Sequence, residues 1–484
     1  MKSRNLRYLV LGGALVGCAG SDDDVAARRD ALGVQRHVQL VAVGKLDASG
    51  PDRAPQTAAK LENGAPGNLL GGLGSALAHA GGDTFLALPD RGPNAVVYAP
   101  TIDNTTSYVN RVQTLKLALR AADVGAALPL VLSPSLTQTT LLFAKEPLVY
   151  GKGDEREHDE AALKSGVPAL NRLGRSYFVG RADNFDAASG PVPSRDARLD
   201  PEGLRVSNDG KRVYVSDEYG PYVYEFDRAT GERLRTFTLP TDFGVAQKRF
   251  TELDEVAANN AGRVTNKGME GLAITPDGRH LLGAMQSPLL QDGGAAGGFL
   301  RLVEIDLHTG AIAQYAYPLD DVGTAEAPKY AAVSEILAVN DHTFLVDERD
   351  STGLGAGSAA VFKRVFRIDL ADATEVSGLK GEAALRAAAV KKEPFLDLVA
   401  ALTAHGVAAT EIPAKIEGLA FGPDVTVAGA HQHTLFIASD NDFLARLTDP
   451  LHPDGVDNPN QWFVFAFDDA ALPGYRPQQH DDCD

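Results

Sequence analysis

Two cysteines, one tryptophan and three methionines are all that 484 residues supply of those types. The cysteines stand at the two ends, Cys18 and Cys483. Once Cys18 is engaged elsewhere no internal disulfide can form, and stability has to come from packing or a bound metal. A lone Trp462 offers no stacking platform for carbohydrate. Basic residues are short as well: 46 Lys and Arg face 64 Asp and Glu, a formal charge of −18. That balance excludes nucleic acid as a partner, because a phosphate backbone demands basic patches. No Gly-x-Ser-x-Gly elbow occurs, and Gly72-Leu73-Gly74-Ser75-Ala76 only approaches one. Cys-x-x-Cys, His-Glu-x-x-His and phosphate-cradling Gly-rich loops are missing too, which removes the common redox, zinc-protease and nucleotide chemistries.

What is present is a recurring phrase: an acid, Gly-Leu, alternating residues, a tight turn, a second apolar run, then another acid. It reads Glu202-Gly203-Leu204 to Asp217-Glu218, Glu270-Gly271-Leu272 to Gln286, Glu335-Ile336-Leu337 to Asp347-Glu348, and Glu417-Gly418-Leu419 to Asp440-Asn441-Asp442. Gly72-Leu73 to Asp90-Arg91 keeps the shape without the first acid. Turn residues at the midpoints, such as Asn208-Asp209-Gly210, mark each phrase as a β-hairpin whose acidic ends meet away from the turn. The first acids are spaced 68, 65 and 82 residues apart (202 to 270, 270 to 335, 335 to 417), and 130 residues separate Gly72 from Glu202. A long period with several short strands per unit predicts an all-β fold, a β-propeller of about six blades with seven as the alternative. The acids then converge on one mouth of the central channel. An Ala-rich stretch near 382–407 reads as a helical insertion between blades.

The N-terminus reads as a targeting segment. Lys2, Arg4 and Arg7 precede an apolar run, Tyr8 to Val16, too short to span a bilayer, and Leu15-Val16-Gly17-Cys18 matches the lipobox of bacterial lipoproteins. Residues 1–17 are therefore expected to be a signal peptide, Cys18 the lipidated residue, 18–36 a tether, 37–470 the propeller and 471–484 an acidic tail. An ordinary secretory signal is the alternative. Either way the body is exported to the cell envelope, as an outer-membrane lipoprotein or a periplasmic or extracellular protein. It touches membrane only through its lipid, and is expected to be a monomer.

Leu88-Pro89-Asp90-Arg91-Gly92-Pro93-Asn94, Asp200-Pro201-Glu202-Gly203-Leu204, Ser216-Asp217-Glu218-Tyr219-Gly220-Pro221, Asn266-Lys267-Gly268-Met269-Glu270-Gly271-Leu272, and Lys415-Ile416-Glu417-Gly418-Leu419 with Ala438-Ser439-Asp440-Asn441-Asp442 together resemble the phytase-like family described as having esterase-like activity. The resemblance covers about Val38 to Asp468 and implies an exported propeller that hydrolyses esters or phosphoesters. Carboxylates clustered at one mouth repel one another and suit a hard cation, which takes six to eight oxygens. Ca²⁺ is the expected cofactor, held by Glu202, Asp217, Glu270, Glu335, Asp347, Glu417 and Asp440. Glu202 and Glu270 with Arg91 and Arg349 are the expected catalytic set, and Lys267, Lys415 and Tyr219 the expected contacts to a small ester or phosphoester. Two alternatives stay open. The acids can serve as structural hydrogen-bond acceptors, and the chain can be a non-catalytic envelope-binding propeller with structural calcium.

Overall fold

A computed structural model describes residues 37–94, 105–151, 166–186, 188, 190, 195–249 and 251–480. The expected signal peptide, Cys18, the whole of the tether and residues 481–484 lie outside them.

Five four-stranded antiparallel sheets make up the body. From the innermost strand outward, blade 1 is Ala76–His79, Thr84–Leu88, Arg111–Ala121 and Leu130–Leu141. Blade 2 is Pro201–Val206, Arg212–Asp217, Tyr222–Asp227 and Arg233–Thr238. Blade 3 is Met269–Ile274, His280–Met285, Phe299–Asp306 and Ile312–Pro318. Blade 4 is Ala332–Ala338, Thr343–Arg349, Lys363–Asp369 and Lys392–Asp397. Blade 5 combines Ile416–Val427, Ala430–Ser439 and Asn460–Phe467 with the N-terminal strand Val38–Leu46 as its outer edge. That pairing, Val38 opposite Phe467 through Leu46 opposite Asn460, ties the two chain ends together and closes the ring. Each innermost strand touches the next, and that of blade 5 returns to blade 1. Closure removes the exposed strand edges that an open sheet would leave.

The blade count is therefore five, not six or seven. Among the described residues, the long interval before Glu202 holds no extra blade. It holds the 11- and 12-residue outer strands of blade 1 and a connecting lobe whose only paired strands, among the described residues, are Phe143–Ala144 and Ser176–Tyr177. The stretch near 382–407 is likewise no inserted helix. Two seven-residue helices, Glu382–Ala388 and Leu398–Ala404, flank Lys392–Asp397, the outermost strand of blade 4. Pro394 inside the Ala-rich pattern breaks a helix but is tolerated on a sheet edge. Asp397 then caps the second helix by accepting from Ala400 N at 3.0 Å.

The core lies between blades, where Leu, Ile, Val and Phe of facing strands interleave. The hairpin turns form as the sequence requires, Gly210 taking φ 67° to close the Ser207–Arg212 reversal. Past blade 5, Ala471 and Leu472 are buried in the core between blades 4 and 5. The tail then crosses the channel end opposite the acids. Arg476 N donates to Val339 O at 2.8 Å, Gln478 donates to Val206 O at 2.8 Å, and His480 meets His79 edge to face with ring centroids 5.4 Å apart.

Candidate active site at one mouth of the channel

The repeat's geometry follows from strand register. In blades 2 to 5 the pairing of the two inner strands slips at the start of the phrase, at an acid in blades 2, 3 and 5 and at Ser334 in blade 4: between Pro201 and Leu204, Met269 and Gly271, Val333 and Glu335, and Ile416 and Gly418. Such a bulge re-aims the side chain beside it. The apolar residue beyond it pairs regularly: Leu204 with Val215, Leu272 with Gly283, Ile336 with Val346, Leu419 with Ile437, and in unbulged blade 1 Leu77 with Ala87. Two residues before each apolar residue stand Glu202, Glu270, Ser334, Glu417 and Ser75. Three residues after each partner stand Glu218, Gln286, Arg349, Asp440 and Asp90. These two quintets ring the mouth. The glycine of the phrase admits the neighbouring strand: a Cβ on Gly203 would sit 2.6 Å from Leu272 Cβ, and one on Gly271 2.8 Å from Ile336 N.

One side of the ring gathers carboxylates. Oxygens of Asp200, Glu202 and Glu218 lie within 4.8 Å of one another, all three side chains buried. Arg91 donates to Asp200 at 2.9 Å and also contacts Asn266 Oδ1. Burial, followed by the charges of Glu270, Asp200 and Glu218, pushes the Glu202 carboxyl well above the usual range. Burial and then Glu218 and Glu417 do the same to Glu270, whose Oε2 is buried without a hydrogen-bond partner. Glu218 is pushed up to about 8, by burial and then Asp200, against the pull of Arg91.

The other side is closed by a lysine. Asp90, Asp440 and Asp442 form a second carboxylate triad. Lys415 Nζ lies 2.9 Å from Asp440 and 2.5 Å from Asp442. Burial raises Asp440 to about 6, with Lys415 opposing. The turn that carries these acids is strained: Asp442 and Phe443 take φ of 51° and 57°, a region costly for non-glycine residues. Phe443 is held there against Gly71, Gly72 and Tyr108. Between the two sides Arg349 donates to Ser334 Oγ at 2.8 Å and to Glu417 at 2.5 Å.

Of the residues expected at this mouth, the structure brings together Arg91, Glu202, Glu270, Arg349, Lys415, Glu417 and Asp440. Lys267 stands at the rim, in the Val264–Lys267 turn beside Asn266. Four others are elsewhere. Glu335 occupies the glycine position of its phrase, and its carboxylate accepts from Leu272 N at 2.9 Å and Ile336 N at 3.0 Å and faces Arg205 at 3.1 Å. Burial, opposed by Arg205, puts it at about 7. Asp347 pairs directly with Glu335 in the register and is fully buried, both oxygens without a hydrogen-bond partner. Asp217 serves a turn, accepting from Asp200 N at 3.2 Å and Tyr219 N at 3.0 Å. The Tyr219 hydroxyl is committed to Gly180 O at 2.8 Å. Sequence reasoning passed over Asp90, Asp200, Glu218 and Asp442 as ligands. Counting three residues past each register partner finds Asp90 and Glu218, where taking the first acid after each second strand selects Asp217.

An all-β, five-bladed propeller with a buried carboxylate ring at one mouth is the class this chain defines. It belongs to the phytase-like family described as esterase-like activity of phytase, which matches residues 68–443. An uncharacterized secreted protein of Arthroderma benhamiae is 29% identical over 341 residues, or 62% of this chain and 63% of that protein. The chain thus spans less than two thirds of that relative's length. Solved structures are more distant. A periplasmic gluconolactonase of Pseudomonas aeruginosa is 11% identical over 81% of this chain and 88% of that one, with a TM-score of 0.31. Hydrazine synthase of Kuenenia stuttgartiensis is 10% identical over 77% and 78%, with a TM-score of 0.29. Likenesses this loose bear on neither fold nor function. Among the described residues no helix is long and apolar enough to cross a membrane.

Proposed function

We propose that the chain is an exported, lipid-anchored hydrolase that cleaves an ester or phosphoester at the acid-ringed mouth with the help of a hard cation, Ca²⁺ by oxygen preference. The observation that carries this reading is the group Asp200, Glu202, Glu218 and Glu270, carboxyls buried beside Arg91 with too few cations to balance them. Family membership agrees with it, and the secreted relative agrees with export. The donor set fits a calcium ion: it is all oxygen, Asp200, Glu202 and Glu218 are spaced for one ion, and Glu270, whose Oε2 is orphaned, is the strongest charge that Glu202 feels. Asp200, Glu202 and Glu218, with Glu270, would hold it; Glu417 and Asp440, met by Arg349 and Lys415, stand across the mouth. When bound, it would polarise a carbonyl or phosphoryl oxygen and acidify a water.

The chain's own groups supply the rest. Arg91, fixed by Asp200 and Asn266, and Arg349, fixed by Ser334 and Glu417, stand ready to orient an anionic or carbonyl oxygen. Glu218, pushed up to about 8, can hold or release a proton near neutral pH, and Glu202, raised well above the usual carboxylate range by burial, keeps its proton longer than an ordinary glutamate; such groups suit general acid and base duty. The channel is blocked below the mouth by Arg205, which donates to Leu77 O at 2.9 Å and Ile336 O at 2.7 Å across the bore, so substrate enters and leaves by the same face. The test is a panel of aryl phosphate, aryl ester, lactone and phytate substrates, with Ca²⁺ and with chelator, on wild type, Glu202→Gln and Glu270→Gln. Cation-dependent turnover lost in both variants is expected. Absence of turnover, with chelator only lowering thermal stability, would replace this reading by a binding propeller with structural calcium.

A further inference from the structure

The two carboxylate triads at the mouth look alike as ligand sets, each with oxygens within 4.8 Å of one another, about twice a Ca–O bond length. Their surroundings differ. The Asp90, Asp440 and Asp442 triad already contains a cation of the chain's own: Lys415 Nζ touches two of its three carboxylates, and Arg349 and Arg91 are the next charges that Asp442 feels. In the Asp200, Glu202 and Glu218 triad the strongest electrostatic neighbours of Glu202 are Glu270, Asp200, Glu218 and Asp90, all acids. The guanidinium that touches this triad, Arg91, lies against Asp200, and nearby Arg263 is held by Glu255 at 2.9 Å. An independent sign points the same way. Glu270, 3% exposed, comes from the adjacent blade, has Glu218 as its strongest electrostatic neighbour and leaves Oε2 without a partner. An orphaned buried carboxylate oxygen that feels the charges of Glu202 and Glu218 is costly unless a cation meets it.

We infer that the mouth binds one cation, not two: it sits among Asp200, Glu202, Glu218 and Glu270, while Lys415 occupies the second triad permanently as a built-in substitute for a metal. The inference rests on the hydrolase reading for the cation's purpose, but its location and number are separate from catalysis. The ammonium gives the lysine half a fixed charge that no chelator removes. The glutamate half alone is emptied by chelation.

Calcium titration calorimetry and terbium luminescence on the full chain test this without any substrate. Wild type should bind one ion at the mouth. Glu202→Gln and, independently, Glu270→Gln should lose that ion or weaken it by about tenfold or more, as expected when one ligand of a closed set is neutralised. Asp442→Asn should leave the count at one, and Lys415→Met should raise it to two by vacating the second triad. Circular dichroism and the Asp442→Asn count separate lost binding from lost fold. Two ions in wild type, or one ion that survives Glu202→Gln and Glu270→Gln but vanishes in Asp442→Asn, overturns the inference. So does a count that stays at one in folded Lys415→Met. If one ion binds as described and no substrate turns over, the inference stands and the hydrolase reading fails; turnover with the ion in the lysine triad gives the reverse.

Discussion

Replacing Asp347 by valine should make the protein more stable, and the gain should grow with pH. Asp347 shares a strand face with Leu345, which packs on blade 5, and with Arg349, which reaches Glu417 of blade 5. Its carboxyl is thus enclosed between blades 4 and 5, and neither oxygen has a hydrogen-bond partner. The nearby cations are committed elsewhere: Arg349 to Ser334 and Glu417, Lys363 to Asp350 and the carbonyl of Thr352. Truncation therefore strands no partner. Each unsatisfied buried group costs about 1–3 kcal/mol, and valine fills a similar volume with a side chain suited to a strand. A gain of about 2 kcal/mol is expected near neutral pH.

The sign with pH follows from the carboxyl's position well above its ordinary range, caused first by burial. The folded state keeps this proton after the unfolded chain has lost it near pH 3.8. Wild-type stability therefore falls as pH rises above that value and levels off only past the folded pKa. Valine does not titrate, so its advantage should be smallest near pH 4 and larger at pH 8, with a slope of at most about 1.4 kcal/mol per pH unit. At about 2.1 cal/mol/K per residue over roughly 430 folded residues, 2 kcal/mol moves Tm by only about 2 °C. Guanidinium unfolding at several pH values is the better assay. A valine variant less stable than wild type at pH 8 by more than about 1 kcal/mol would refute the reasoning. If that loss appeared only with calcium present, Asp347 would be a cation ligand after all.

Arg205→Leu should destabilise by about 3–5 kcal/mol, because it leaves Glu335 buried without its guanidinium and removes the ties to Leu77 O and Ile336 O; denaturant titration measures it, and the loss should shrink in Arg205→Leu/Glu335→Gln. Gly271→Ala should cost about 1–3 kcal/mol, since the new Cβ meets backbone atoms of Glu335 and Ile336 at 2.8–2.9 Å, where no side chain can swing aside; Gly378→Ala, with nothing within 4 Å, is the control.

Much of this architecture is legible in the residues. Alternating apolar runs around Asn-Asp-Gly turns mark the hairpins, and the acid at each hairpin's open end marks the mouth. The blade count was not legible, because a repeat measured between first acids cannot separate a further blade from a long connection. Residues 142–200 carry strand-like apolar stretches, yet among the described residues there only Phe143–Ala144 and Ser176–Tyr177 pair with each other as strands. Packing of the lobe on blades 1 and 2, through Phe178 on Tyr224 and Phe226, decides that, and it is tertiary information. The outer strand of blade 4 was hidden for a related reason. Alanines at 383–389 set a helical pattern that one proline interrupts, and edge strands bear exposed charges, here Glu393, that helices also bear.

The ring's membership turned on one residue of register. Glu-Gly-Leu combines three tasks: the acid is thrown into the mouth by a bulge, the glycine lets the next innermost strand approach, and the leucine fills the core. Ser334-Glu335-Ile336 looks like the same phrase shifted by one, and aligning its glutamate with Glu202 puts the carboxyl on the wrong side of the pleat. At the glycine position a side chain cannot face the mouth. Glu335 instead folds over the backbone of blade 3 and meets Arg205. Blade 4 is then the one blade without a carboxylate in either quintet, and Arg349 stands where the others carry Asp, Glu or Gln. The mouth is consequently lopsided, with acids concentrated on blades 2 and 3, lysine-bound acids on blade 5 beside Asp90 of blade 1, and the Arg349 guanidinium on blade 4 between them. A symmetric ring would bind charge without direction. This one has a side of uncompensated carboxylates and a side whose acids are met by Lys415 and Arg349, so the charge at the mouth has a direction.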